Sequence, residues 1–188
     1  MNYHSDQVYQ NIDFSESVSH PSEYENCSFE RCNFQGLNIS HSIFDNCTFT
    51  ACDFSNAKVS QVAFRQVRFD NCKILGVHFH ACNPFLLEFS FQNCQMDYCS
   101  FYNLKLKKST FTQCRLTEVD FTEAELTASD FRGSDLSGCT FDRSNLEKAD
   151  FRNTQHLQLD PELNRIRGAR FDLDSLPGLL GKYRIKIG

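Results

Sequence analysis

The sequence predicts an all-β fold, a solenoid of stacked parallel strands, and three observations point to it. The first is a period of five. Every fifth residue from Tyr24 to Phe79 is large and apolar, Phe at most positions and Ile39, Val59 and Ile74 at the others. A second run, shifted by two residues, extends from Phe91 through Met96 to Phe151. Neither the helical period of 3.6 nor the strand period of 2 accounts for this spacing, whereas a short fixed repeat marks a solenoid. The second observation concerns the 10 cysteines, nine of which lie two residues before one of these centres, from Cys27 to Cys139, while Cys82 keeps the phase of the first run one repeat past Phe79. Elsewhere that position holds small or slender residues such as Ala57, Val62, Ala124 and Ser129, so it predicts a second inward-facing site with little room. The third is the strict Phe/Leu alternation of the centres from Phe111 to Phe151, a superimposed period of ten. With four repeats per turn, Cys32, Cys52 and Cys72 stack in one column and Phe111, Phe131 and Phe151 in another, about 4.8 Å apart as adjacent strands are.

Taken in order, residues 1–153 read as the repeat body and 154–188 as a C-terminal cap and dimerisation segment. The two registers do not join cleanly. Phe79 to Leu86 spans seven residues, so a two-residue break lies near 80–86, with Leu86 entering the second register and Pro84 interrupting regular pairing. Phe85 is then free to point elsewhere, in a bulge or small loop on the solenoid surface. After Phe151 the repeat fades. Asp174 or Ser175 can cap a short helix with Pro177 in its first turn, and Arg184-Ile185-Lys186-Ile187 alternates like a short strand. A cap is required because a solenoid end exposes stacked apolar side chains and open backbone groups.

Composition excludes several classes of function. The chain has 188 residues, enough for one domain or one elongated body, and its apolar stretches are too short to span a membrane. The opening Met1-Asn2-Tyr3-His4-Ser5-Asp6 does not start a signal peptide, and ten unpaired thiols predict a reducing, cytoplasmic setting. A net charge of −5 disfavours direct binding to nucleic acid. No catalytic, metal or cofactor site is expected. His78, His80 and Cys82 are the only cluster resembling a ligand set, and the cysteine spacing of five follows from the repeat rather than from a zinc motif. No Gly-rich phosphate loop occurs.

Units such as Ala149-Asp150-Phe151-Arg152-Asn153 and Cys52-Asp53-Phe54-Ser55-Asn56 resemble the pentapeptide-repeat proteins over roughly residues 12–153. That resemblance implies a right-handed quadrilateral parallel β-helix with four repeats per coil. The tail resembles the dimerisation module of the Qnr and mycobacterial fluoroquinolone-resistance proteins. The run from Leu159 to Ile166 is similar to the immunity protein against the gyrase-poisoning peptide microcin B. By this likeness Leu176, Leu179, Leu180, Tyr183, Ile185 and Ile187 build a two-fold homodimer interface. The implied function is mimicry of DNA, with DNA gyrase or topoisomerase IV as partner and immunity or resistance to a gyrase poison as outcome. The long projecting loop of the Qnr proteins has no counterpart in this chain. The alternative is an interaction scaffold for a partner other than a topoisomerase.

Charge is unevenly spread. Residues 111–151 carry four basic and nine acidic side chains, whereas residues 152–188 carry seven basic and four acidic. The expected partner-binding acidic face comprises Glu118, Asp120, Glu123, Glu125, Asp130, Asp135, Asp142 and Asp150. Spaced carboxylates can replace phosphates opposite a basic surface. Asp or Asn before a centre also bonds the turn backbone two residues on, which is a structural reason for the same residues.

Overall fold

Each five-residue repeat makes one face and one corner. The corner is the residue two after the centre, and it takes a left-handed backbone: Asn26, Asn46 and Asn56 have φ of 53, 49 and 58°, and Gly36 has 65°. Asn and Gly suit this region best. The corner amide points along the solenoid axis and bonds the next coil, as Asn46 N–H does to the Arg65 carbonyl at 2.9 Å. Ala51 and Ala128 occupy equivalent corners, at φ of 54 and 58°, and donate to the Asp70 and Glu147 carbonyls at 3.0 and 2.8 Å. Those bonds offset the strain of a side chain in that region.

The structure, a computed structural model, describes residues 1–16 and 20–186. Four repeats close a coil, and the coils stack as a right-handed quadrilateral parallel β-helix. Two faces carry extended strands. One is the sheet of β1 (Asn2–Ser5), β3 (Ser22–Glu25), β5 (Ile43–Asp45) and β7 (Ala63–Arg65). The other runs through β2 (Val8–Gln10), β4 (Ser28–Glu30), β6 (Thr48–Thr50), β8 (Val67–Asp70), β9 (Phe89–Gln92) and β10 (Thr110–Thr112). The remaining faces are ladders of single bridges, such as Asp13↔Asn33↔Asp53↔Lys73 and Ser100↔Asp120↔Thr140. Partners lie 20 residues apart, as in Phe29↔Phe49, and 22 apart across the break, as in Phe69↔Phe91.

The core follows from this register. Phe29, Phe49 and Phe69 stack with ring centroids 4.6 and 5.0 Å apart, and Phe111, Phe131 and Phe151 at 5.1 and 5.0 Å. The cysteines fill the inner corner beside them, with all ten thiols free and all but Cys139 buried. Cys32 and Cys52 donate their amides to the sulfurs of Cys52 and Cys72, each at 3.4 Å, so the expected column is present. Burial pushes the thiols of Cys47, Cys99 and Cys139 up to about 12, which keeps them neutral packing groups at neutral pH.

The break departs from the expected path. The Asn83 amide still bonds the Val62 carbonyl, and the chain rejoins at Glu88, whose amide bonds the Phe64 carbonyl at 3.1 Å. Between them Phe85 and Leu86 project outward, 64 and 63% exposed. Leu86 therefore does not serve as an inward centre. Phe89 takes that volume, buried with its ring centroid 5.3 Å from Phe64 and 5.2 Å from Phe79. A missing centre would leave a cavity above Phe64, and Phe89 closes it with Leu87 half-buried against the core.

The ladder also runs past residue 153. Asn145↔Arg165 and Asp150↔Arg170 are bridged, and Phe171 stacks on Phe151 at 5.4 Å. A 3₁₀ segment, Leu173–Leu179, then lies over the last coil. Its N-cap is Asp172, which accepts the Ser175 amide at 3.0 Å, rather than Asp174 or Ser175, and Pro177 sits inside the segment. The strand predicted over 184–187 does not form at 184–186, and Ile187 lies outside the described residues: Gly181–Tyr183 makes a further 3₁₀ turn, and Arg184 takes a left-handed corner at φ 51°. Gly178 passes so close to the Leu157 carbonyl oxygen that a Cβ there would lie 1.8 Å from it.

Candidate partner-binding surface

A period of five on four faces sends successive repeats to successive faces, so only residues one coil apart share a face. Asp120, Glu125, Asp130 and Asp135 accordingly lie on four different ladders, bridged onward to Thr140, Asn145, Asp150 and Gln155. The eight nominated carboxylates girdle the coils instead of forming one acidic face. Their degree of neutralisation then separates them.

Asp130 and Asp150 share a face that arginine neutralises. Arg132 reaches Asp130 through Nε at 2.9 Å and Nη2 at 2.6 Å, and Arg152 holds Asp150 in the same way. Arg132 and Arg170 also approach Asp150 at 4.0 and 3.9 Å. The Arg152 hydrogen bond holds the Asp150 carboxyl below its ordinary range, against the opposing effect of burial. At Asp130 burial pushes upward most strongly, yet the bonds from Arg132 prevail and the net direction is down. Asp135 receives His156 Nδ1 at 2.8 Å and the Ser137 hydroxyl at 2.7 Å. Glu125 is held by Thr127 and by Asn145 at 3.1 Å. Among the described residues Glu125 thus has only neutral donors, and the sequence reasoning missed the arginines that pair with Asp130 and Asp150. The Asp-x-Arg spacing of Asp130/Arg132 and Asp150/Arg152 within one repeat was the available signal.

Glu118, Asp120, Glu123 and Asp142 differ. They occupy one face and its two corners, and Arg143 alone pairs with them, at 3.1 Å from Glu123 and 3.4 Å from Asp142. Asp120 accepts the Thr122 amide at 2.9 Å and the Ser100 hydroxyl at 3.3 Å, and neither it nor Glu118 has a cation within 4 Å among the described residues. Glu118 is exposed at its corner beside Gly138, where a Cβ would fall 2.7 Å from Glu118 Oε1. Tyr102 lies half exposed on the same face and donates its hydroxyl to Glu123 at 3.2 Å.

The nominated interface residues do not behave alike either. Leu176, Leu180, Tyr183 and Ile185 are exposed, together with Leu163 and Leu173, which the sequence reading did not select. Leu179 packs inward against the core and covers the coil end. Ile187 lies outside the described residues. The tail is tied down by Lys182 to Asp160 at 2.7 Å and by the Tyr183 hydroxyl to Glu162 at 2.8 Å.

His78 and His80 stand edge-to-face with centroids 5.4 Å apart, His80 contacting Ser100, while the Cys82 thiol turns inward to the Val59 carbonyl at 3.5 Å. No group of three candidate metal ligands converges among the described residues. No helix among them is long and apolar enough to cross a membrane.

The family model described as "pentapeptide repeat region" matches residues 22–89 and 86–160. Among solved structures, trypsin-treated QnrB1, a plasmid-mediated fluoroquinolone resistance protein, aligns with a TM-score of 0.63 at 21% identity, over 100% of this chain and 92% of that one. HetL, a pentapeptide repeat protein involved in heterocyst differentiation regulation from the cyanobacterium Nostoc sp. strain PCC 7120, aligns at 0.51 and 13% identity, covering 89% of this chain and 84% of that one. No protein of curated function matches the sequence.

Proposed function

The chain belongs to the pentapeptide-repeat family, and from that premise we propose that it binds a bacterial type II topoisomerase, DNA gyrase or topoisomerase IV, as a decoy for DNA and so gives immunity or resistance to a gyrase poison. The observation that carries this reading is the face bearing Glu118, Asp120, Glu123 and Asp142, where four carboxylates meet a single guanidinium. On a narrow rod, such carboxylates offer a basic DNA-binding surface the charge pattern of a phosphate backbone. The exposed apolar residues Leu173, Leu176, Leu180, Tyr183 and Ile185 supply a two-fold contact at the capped end, and the homodimer doubles the length of the rod. Sedimentation is expected to give twice the monomer mass, and Leu176→Asp with Tyr183→Asp to give the monomer.

Supercoiling by purified gyrase, titrated with the protein at two salt concentrations, tests the decoy mechanism. Inhibition, or rescue from poison-trapped cleavage, is expected to weaken as salt rises. The pair Glu118→Lys and Asp142→Lys is expected to reduce it by about tenfold or more. Unchanged inhibition by that pair would sink the decoy mechanism. No response at micromolar excess would leave the scaffold reading, with a partner other than a topoisomerase.

A further inference from the structure

The register break leaves a cleft of ≈ 910 Å³ on the side of the solenoid. It exists because the chain leaves the coil after Asn83 and rejoins at Glu88, so one rung is missing from the face that carries β7. The sheet β1-β3-β5-β7 stops there, and Lys105 resumes the face by bridging forward to Glu125. Main-chain donors are left over on both sides. The corner amides of Asn26 and Asn46 bond the coil above, but the equivalent amide of Gln66 has no main-chain acceptor among the described residues. Glu125 N–H bonds back to the Leu104 carbonyl, but Lys105 N–H has no such partner below among the described residues.

The side chains around the cleft are cationic. Arg65, Arg68, Lys107 and Lys108 line it, against the carboxylates of Asp45 and Glu88. Asp45 is engaged by Arg65 Nη1 at 3.5 Å, and the Arg65 Nε is buried with no hydrogen-bond partner. Arg68, Lys107 and Lys108 are exposed, and none is within 4 Å of a carboxylate among the described residues. The arginines near Asp130 and Asp150 are paired within their own coils, so this cluster is the opposite case. Its outer rim is apolar, formed by the exposed Leu86 beside Phe85.

We propose that this cleft docks an extended, carboxylate-bearing peptide segment of a partner protein, which adds the strand missing between β7 and the coil of Lys105. Three features select that occupant. Free amides beside an open strand edge are matched by main-chain carbonyls at strand spacing, the mode of β-strand addition. Unpaired cations favour carboxylates on the alternate side chains. A cleft of this volume exceeds what a lone inorganic anion fills and lies within the range that holds a short peptide or drug-sized ligand. The site is on a different part of the solenoid from the acidic face and does not depend on the topoisomerase reading.

Fluorescence anisotropy with the full-length protein tests it. The probes are a labelled peptide alternating glutamate with valine and threonine, the same peptide with lysine for glutamate, and the acidic peptide with two prolines replacing valine. The acidic peptide is expected to bind at least about tenfold more tightly than either of the others. Lys107→Glu with Lys108→Glu, and separately Arg68→Glu, is expected to weaken it about tenfold at unchanged melting temperature, while Lys148→Glu, outside the cleft, leaves it as it was. Equal binding of acidic and basic peptides would overturn the proposal, as would charge-reversed variants that bind like the parent. So would a proline peptide that binds like the acidic one, or displacement by millimolar inorganic phosphate, since either would mark a simple anion site.

Discussion

Before the break, two faces of each coil are extended strands; after β10, every face closes as a turn around a single bridge. The same period of five runs through both regions, so the centres alone do not set this difference. The residue before the centre contributes. No strand centre follows Asp or Asn: the preceding residues are Tyr3, Val8, Glu23, Ser28, Ile43, Thr48, Ala63, Arg68, Ser90 and Thr110. Where Asp or Asn does stand there, its side chain accepts the amide two residues on. Asn33, Asp53, Asp120, Asp130, Asp135, Asn145 and Asp150 do so at 2.8 to 3.2 Å, and each of those faces is a single bridge. The side chain competes for the donor and folds the face into a turn.

The rings change with it. In the coils from Tyr24 to Val59 three adjacent columns are aromatic, with Tyr24, Phe29 and Phe34 in sequence and the fourth face filled by Ile39 or Val59; in the last coil before the break Ile74 and Phe79 exchange these roles. After it only two opposed columns are aromatic, and Phe111, Phe121 and Phe131 meet edge-to-face at 5.5 and 5.6 Å across a Leu at either side. Two aromatic columns on opposite faces interlock at the axis, which is why the later coils alternate Phe and Leu. The lesson is that one repeat length supports two cross-sections, chosen by ring placement and by Asx turns.

Three changes sharpen that contrast. The largest effect is expected from Phe111→Ala, which removes a ring that touches Phe91, Phe101, Phe121 and Phe131. A loss of about 3–5 kcal/mol in denaturant unfolding is expected, and a loss under about 1 kcal/mol would contradict the interlocked axis. Next comes Asp150→Asn, expected to cost about 1–2 kcal/mol near neutral pH because it keeps the turn bond and loses the charge-assisted bonds to Arg152. Since the folded-state value of Asp150 is depressed, its stabilisation is present above the ordinary carboxylate range, about 3.9, and is lost as pH falls through the folded-state value. The gap between the two proteins should therefore shrink in acid, and a gap independent of pH would refute the account. The smallest effect belongs to Thr48→Asn, which offers β6 an Asx turn. Stability should change by under about 1 kcal/mol, with faster amide exchange at Phe49 and Thr50 as the diagnostic.

Much of the fold was legible because a strict period fixes the phase of every residue while the chain stays on the coil. The inward cysteine column, the stacked rings and the location of the break all follow from phase. Phase says nothing once the chain leaves the coil. Leu86 was in phase for a centre and is exposed, while Phe89, in phase only for the small inner position paired with Val67, carries the ring that fills the hole above Phe64. The acidic surface was half legible for the same reason. Position predicted which carboxylates face outward, but pairing joins neighbours along a repeat and one coil away, as with Arg132, Arg143 and His156.

The sequence by itself determined the solenoid, the small inner corner and the Asx turns, since each is a local property repeated at fixed spacing, while the four-repeat coil was implied by the family resemblance. The tertiary structure alone decided three things: which residue caps the tail, which charges remain unpaired, and what fills the missing rung. Those outcomes depend on distances between coils and on volume left empty, as Gly178 against the Leu157 carbonyl shows. Neither quantity is encoded in any single repeat.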